Sequence, residues 1–171
     1  MGMSVTISAA TDDDAEQILK LQYLCYQSEA EIYGDYGIEP LTQTLAALRA
    51  ELGEGCVLVA RLGEEVVGSV RGTVDADGTA RISRLCVHPR MRRHGLGGRL
   101  LARIEERLRA ERAAKRYRLL TGHRSEANLR LYRRSGYAAV GTSVDRAPGG
   151  RGVTLVTMEK DAGAHAFAAS A

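Results

Sequence analysis

Apolar residues recur at helical spacing in the first third of the chain, at strand spacing in the middle, and at alternating helical and strand spacing thereafter. Val5-Thr6-Ile7 reads as a short strand. Thr11-Asp12-Asp13-Asp14 reads as a helix start: a capping residue, then acids that complement the positive end of the helix dipole. Ile18, Leu21 and Leu24/Cys25 follow at helical spacing. A polar loop through Tyr33-Gly34-Asp35-Tyr36-Gly37 leads to Pro40, and Leu41, Leu45, Leu48 and Leu52 predict one second helix. From Gly53 the period drops to two. Cys56–Ala60 and Val66–Val70 are strand-like, with a hairpin at Leu62-Gly63-Glu64-Glu65, and a turn at Ala76-Asp77-Gly78 precedes a third strand over 79–87. Beyond Pro89 and a glycine-rich turn, Leu100, Leu101, Ile104 and Leu108 form one apolar stripe of a helix whose acids at 105, 106 and 111 read as solvated. Tyr117–Thr121 is a strand. Ser125 caps a helix that ends near Ser135 with Gly136 in the left-handed position, and Tyr137–Val144 and Val153–Met158 complete the set, joined by Ala147-Pro148-Gly149-Gly150.

This order predicts an α/β (α+β) domain over residues 1–161, with a mixed, largely antiparallel sheet of about seven strands flanked by about four helices, and an alanine-rich tail over 162–171. One strand carries an anomaly. Ala80 and Ile82 lie in one phase of the period-two pattern, and Leu85 and Val87 lie in the other. An inserted residue near Ser83-Arg84 returns both pairs to one face, the signature of a β-bulge; a strand buried on both faces also fits.

Composition narrows the class. The 171 residues suit one domain, and no apolar run approaches the roughly 18 residues that span a bilayer, so no membrane partner is expected. The amino terminus lacks the pattern of a secretory leader. Three distant cysteines and four unpaired histidines predict neither a disulfide framework nor a metal site, and a cytoplasmic protein fits best. Charge is unevenly spread. Residues 1–54 carry ten acidic and two basic groups, whereas residues 81–134 carry seventeen basic and four acidic ones. One part suits a cation and the other an anion. The arginine-rich helix after the glycine turn lacks interleaved aromatics, which argues against nucleic acid as the anion.

The candidate anion site is Arg92-Arg93-His94-Gly95-Leu96-Gly97-Gly98, between a strand and a helix. A helix start offers unpaired N–H groups and a positive dipole end, and glycines let an anion approach the backbone. A diphosphate fits. The P-loop pattern is absent, and the dinucleotide fingerprint fails where Leu100 replaces its third glycine.

Leu85-Cys86-Val87-His88-Pro89 followed by Arg92-x-x-Gly95-x-Gly97 resembles the signature of the GCN5-related N-acetyltransferases. Asn128 to Tyr137, with Tyr132 and Gly136, resembles that family's second element, and the similarity covers about residues 4–160. The resemblance implies an acyl-CoA N-acyltransferase fold with acetyl-CoA as co-substrate, no metal, and direct transfer to an amine, either a small primary amine or a peptide amino terminus. It implies that the backbone of Leu85, Cys86 and Val87 pairs with the pantetheine arm and that the bulge exposes an N–H to the thioester carbonyl. It further implies that Arg92 to Gly98 hold the pyrophosphate, that Asn128 contacts the cofactor arm, and that the Tyr132 phenol protonates the departing thiolate. Relatives often form homodimers.

The family often supplies a glutamate from the strand before the signature as a base. Residues 80–84 read Ala-Arg-Ile-Ser-Arg and contain none. Glu29, Glu31, Asp35 or a water chain remain alternatives. Tyr26, Glu29 and Tyr33 lie in the acidic, tyrosine-rich segment that would meet a cationic acceptor. A module that binds acyl-CoA without turnover is the competing reading.

Overall fold

In the computed structural model, which describes residues 4–145 and 152–163, seven strands form one sheet. They are β1 (Val5–Ala9), β2 (Cys56–Leu62), β3 (Glu65–Val74), β4 (Thr79–Val87), β5 (Arg116–Gly122), β6 (Ala138–Asp145) and β7 (Val153–Asp161). Their spatial order is β1-β2-β3-β4-β5-β7-β6, and all neighbours are antiparallel except β4 and β5. The described helices are α1 (Ala15–Tyr33), α2 (Glu39–Thr42), α3 (Leu45–Glu54), α4 (Leu96–Arg112) and α5 (Glu126–Arg134). The expected sheet is observed. The Ala147–Gly150 connection and most of the alanine-rich tail lie outside the described residues, while Ala162 is buried and donates its N–H to the Lys115 carbonyl.

The single helix expected over residues 41–52 is two helices. Gln43 breaks away with extended backbone at φ −60° and ψ 134°, and Thr44 caps α3 by accepting from the Ala47 N–H at 3.1 Å. The reason is a buried polar network. Arg71, on β3, donates to Gln22 Oε1 at 2.6 Å, to Gln43 Oε1 at 3.2 Å and to Glu51 Oε2 at 2.6 Å. Satisfying a buried guanidinium outweighs continuing a short helix by one turn, because an unpaired buried charge costs several kcal/mol.

The phase slip in β4 is a bulge. Ser69 faces Cys86, but Arg71 faces Ser83, so three steps on β4 match two on β3. Arg84 absorbs the extra residue with φ of +54°, a conformation that costs a side-chain-bearing residue roughly 1–2 kcal/mol. Ala80 and Ile82 belong to the core under α4, and Leu85 and Val87 pack against that same core. Cys86 points to the opposite face, into the cluster of Ala15, Ile18, Leu21, Cys25 and Leu48. Helix α4 lies close on β3 because Gly68 and Gly72 carry no side chain: a Cβ there would lie 2.8 Å from Leu100 Cδ1 and 2.5 Å from Leu108 Cδ1.

Glu105 corrects a sequence expectation. It is 2% exposed, not solvated. Lys160 Nζ lies 2.8 Å from its Oε1, the Tyr137 hydroxyl donates to its Oε2 at 2.8 Å, and the Tyr117 hydroxyl donates to its carbonyl at 3.0 Å. Burial, and then the Glu105 charge, raise the Tyr117 phenol to about 12 and hold Tyr137 well above its usual range. The folded chain therefore binds these protons more tightly than the unfolded chain does. The Tyr117 contribution is complete below about pH 10 and is lost as pH rises towards about 12, while that of Tyr137 persists beyond this window. Denaturant titrations across that window should show stability falling, with roughly 2 kcal/mol of the loss due to Tyr117 and removed by Tyr117→Phe.

Candidate active site

The glycine-rich turn becomes a helix at Gly95, which caps α4 at φ +73°, after Arg93 at φ +68°. The Arg99 N–H donates to the Gly95 carbonyl at 3.1 Å and opens the helical ladder. The N–H groups of Leu96, Gly97 and Gly98 precede that bond, so helix geometry leaves them free to meet a ligand at the positive dipole end. Arg92, Arg93 and His94 are exposed around this turn. The Leu96 side chain is buried in the core, so its contribution to the site is its N–H. A Cβ on Gly97 would lie 3.3 Å from Leu131 Cδ2, which ties this glycine to the packing of α5 on α4.

Beside the turn the sheet divides. β4 and β5 are paired only at Thr79–Arg116, Ala80–Tyr117 and Arg81–Arg118. Beyond Arg81 the two strands diverge, and among the described residues the edge of β4 from the bulge to Val87 has no strand partner on that side. The His88 N–H donates to the Val67 carbonyl on β3 at 2.8 Å. Peptide alternation therefore turns the Val87 carbonyl away from β3, where the Cys25 thiol donates to it at 3.3 Å. Leu85 and Val87 are partly buried and Cys86 is 3% exposed. A hydrogen bond with Cys25, and then burial, push the Cys86 thiol well above its usual range, so it stays an unreactive thiol.

Helices α1 and α5 face each other across this gap. Tyr132, on α5, is 7% exposed, and its ring packs on Tyr137 with centroids 6.1 Å apart. Among the described residues its hydroxyl has no hydrogen-bond partner. Burial first, then the neighbouring Cys86 and Glu29, hold the Tyr132 phenol far above its ordinary range. Asn128 lies one turn earlier on α5 and is partly buried. Tyr26, on α1, is shifted upward by burial and then by Cys86, with smaller contributions from Tyr132 and Glu29.

Glu29 and Tyr33 meet the start of α5. Ser125 Oγ lies 2.9 Å from Glu29 Oε1 and 2.8 Å from Oε2, so the Ser125 hydroxyl makes no cap bond to its own helix. That corrects its expected role as a capping side chain: an ionised carboxylate is a stronger acceptor than the helix is a donor. The Tyr33 hydroxyl accepts from the Arg124 N–H at 2.9 Å and lies 3.2 Å from Ser125 Oγ. Its ring sits on Gly122, where a Cβ would collide with the ring and its hydroxyl. Tyr33 thus fastens α1 to the end of β5 and does not present a free ring. Cys25, Gly122 and Ser125 were missed as site residues in the sequence. Their partners are 62 to 96 positions away, and no local spacing signals such contacts.

A recess lined by Lys115, Arg116, Glu159, Lys160 and Asp161 lies at the opposite end of β5 and shares none of these residues. Among the described residues no three His, Cys, Asp or Glu side chains are grouped to hold a metal, and no helix is long and apolar enough to cross a membrane.

The family model described as "Acetyltransferase (GNAT) family" matches residues 15–137, a span that includes the turn, the bulge, the gap and Tyr132. The chain belongs to the acetyltransferase (GNAT) family. Solved GNAT-fold structures overlay along nearly the whole chain. A ribosomal-protein-alanine N-acetyltransferase from Brucella melitensis is 24% identical with a TM-score of 0.73, covering 91% of this chain and 99% of that one. A protein from Salmonella typhimurium, solved with its cofactor acetyl-CoA, is 22% identical with a TM-score of 0.73, over 93% and 94%. An N-acetyltransferase from Thermoplasma acidophilum in complex with coenzyme A is 18% identical with a TM-score of 0.73, over 93% and 99%. At these identities the overlays show the fold. Comparison with curated protein sequences finds no match.

Proposed function

We propose that this GNAT chain transfers an acetyl group from acetyl-CoA, by direct attack, to an amine acceptor: a small primary amine or a peptide amino terminus. The observation that carries the reading is the divergence of β4 from β5 beside a helix start at Gly95, whose first N–H groups have no intrahelical partner by helix geometry. A cofactor with a diphosphate at one end and an amide-bearing arm at the other matches both features. Leu96, Gly97 and Gly98 donate to the pyrophosphate, while Arg92, Arg93 and His94 supply positive charge around it. The arm lies against the β4 edge from Leu85 to Val87 as an added strand, and Asn128 contacts it from α5. The bulge at Arg84 frees a backbone N–H for the thioester oxygen. Tyr132 donates its proton to the thiolate as the C–S bond breaks.

The acceptor side follows from charge. Tyr26, partly buried beside the gap, offers an aromatic face, and Glu29 offers countercharge to an ammonium group.

Calorimetric titration with CoA tests the cradle. Gly95→Val strains a residue at φ +73°, and Gly97→Val drives a side chain towards Leu131 and into the approach to the backbone. The double variant should lose CoA affinity by at least about tenfold, the equivalent of roughly one charge-assisted hydrogen bond, while keeping its far-ultraviolet circular dichroism. Unchanged affinity would remove the pyrophosphate from this turn.

A further inference from the structure

Helix α1 crosses the sheet in steps of one helical turn, and each step rests on a different element. Gln22 accepts from Arg71 on β3 at 2.6 Å. Cys25 donates to the Val87 carbonyl on β4 at 3.3 Å. Glu29 meets Ser125 at the start of α5 at 2.8–2.9 Å. Tyr33 sits on Gly122 at the end of β5. Positions 22, 25, 29 and 33 share one face of the helix. Glu29 falls between the contact to β4 and the contact to β5, over the gap where those strands diverge.

Its surroundings hold it there with a defined polarity. The Arg124 N–H donates to the Tyr33 oxygen at 2.9 Å, and Tyr33 and Ser125 are 3.2 Å apart. An ionised carboxylate only accepts, so the Ser125 proton goes to Glu29 and the Tyr33 proton goes to Ser125. Every link then runs towards Glu29. The other acids of the α1–α2 segment are engaged or face away: Glu31 is exposed, Asp35 accepts from the Gly37 N–H at 2.8 Å, and Glu39 is exposed and pairs with Arg84 at 3.2 Å. Ser125 immediately precedes α5, the helix that carries Tyr132, and the Glu29 charge contributes to the upward shift of both Tyr132 and Tyr26.

We propose that the Glu29 carboxylate is the base that takes the proton from the acceptor's ammonium group, with Ser125 and Tyr33 as its positioning residues. The assignment rests on the acetyl-transfer reading above. The ammonium gives one proton to Glu29 and becomes a neutral amine. Its lone pair forms the C–N bond to the thioester carbon, the C–S bond breaks, and the thiolate takes the Tyr132 proton. The second proton leaves the new amide nitrogen for the Tyr132 phenolate, and Glu29 returns its proton to solvent. One proton is released per turnover.

Steady-state kinetics by thiol release from acetyl-CoA test this with two probes, an alanine-first tripeptide amide and 1,4-diaminobutane, alongside CoA calorimetry. Glu29→Gln keeps the size of the side chain and an acceptor for Ser125. It should lower kcat on the order of 10²-fold, leave CoA affinity unchanged, and show kcat/KM that climbs with pH as the free amine forms in solution. Ser125→Ala should lower kcat by about tenfold and retain the pH profile of the unaltered chain, since the base is present but less well held. A Glu29→Gln variant with unchanged kcat and only a raised KM would reduce Glu29 to an ammonium anchor and overturn the proposal. An unaltered chain that binds CoA but turns over neither probe would overturn the amine-acceptor reading together with this one. Failure of the unaltered chain to bind CoA would instead overturn the cofactor reading on which both stand.

Discussion

Tyr132→Phe is expected to lower kcat on the order of 10²-fold, within the range of general-acid contributions, with CoA affinity and stability unchanged. The ring is 7% exposed and packs on Tyr137, and Phe retains that contact. The hydroxyl has no partner among the described residues, so its removal orphans no buried group. On the proposed mechanism, what is lost is the proton. Burial and the nearby Cys86 and Glu29 groups keep the phenol protonated across the working range of pH. A phenol so shifted is a weak acid in water, but the same burial penalises a thiolate formed beside it. The direction of transfer follows from the difference between the two groups, not from the phenol alone. Single-turnover measurement of thiol release at saturating acetyl-CoA isolates this step. Full activity in Tyr132→Phe would eliminate the phenol as the acid. Tight CoA binding with no acceptor-dependent release in the unaltered chain would favour a binding module without turnover.

The largest expected effect on stability lies away from the site. Lys160→Met removes the cation that faces Glu105 and takes one countercharge from a carboxylate that is 2% exposed. Breaking one side of a buried pair costs about 3–5 kcal/mol, whereas replacing both sides with uncharged groups is often close to neutral. Lys160→Met should therefore lower the thermal midpoint by roughly 6–20 °C for a chain of this length. Adding Glu105→Gln should restore most of the loss, because Gln still accepts from the Tyr137 hydroxyl, which lies 2.8 Å away in the unaltered chain. Urea unfolding of the two variants separates the outcomes. Equal instability in the single and double variants would show that packing, not charge, dominates there.

The features legible in the sequence are those that leave a local trace. Ala80, Ile82, Leu85 and Val87 disclosed the bulge because a strand has a period of two and an extra residue breaks its phase. The start of α4 was legible because glycines beside arginines at a helix boundary have a local purpose. The C-terminal end of α5 was legible too: Gly136 adopts φ +97°, and the Tyr137 N–H donates to the Tyr132 carbonyl at 3.0 Å. Polar pairs distant in sequence leave no such trace. Glu105 looked like one more surface acid on an arginine-rich helix because Lys160, its partner, is 55 positions away. Gln43 gave no sign that it would leave the helical path to reach Arg71. Ser125 has the composition of a cap and the geometry of a cap position, yet its hydroxyl serves Glu29, 96 positions earlier. Periodicity reports which face of an element is apolar; it does not report which polar side chains meet across the gap between elements.

The short ladder between β4 and β5 has a consequence for folding. Three register pairs join β1–β4 to β5–β7, so the sheet is folded with one place left open for a strand. A ligand whose arm occupied that place, as proposed for acetyl-CoA, would complete the sheet and bind only the folded chain. Its concentration then becomes a folding variable: at a hundred times its dissociation constant it adds about 2.7 kcal/mol to the stability of the fold. For such a chain, cofactor supply and protein lifetime are coupled quantities.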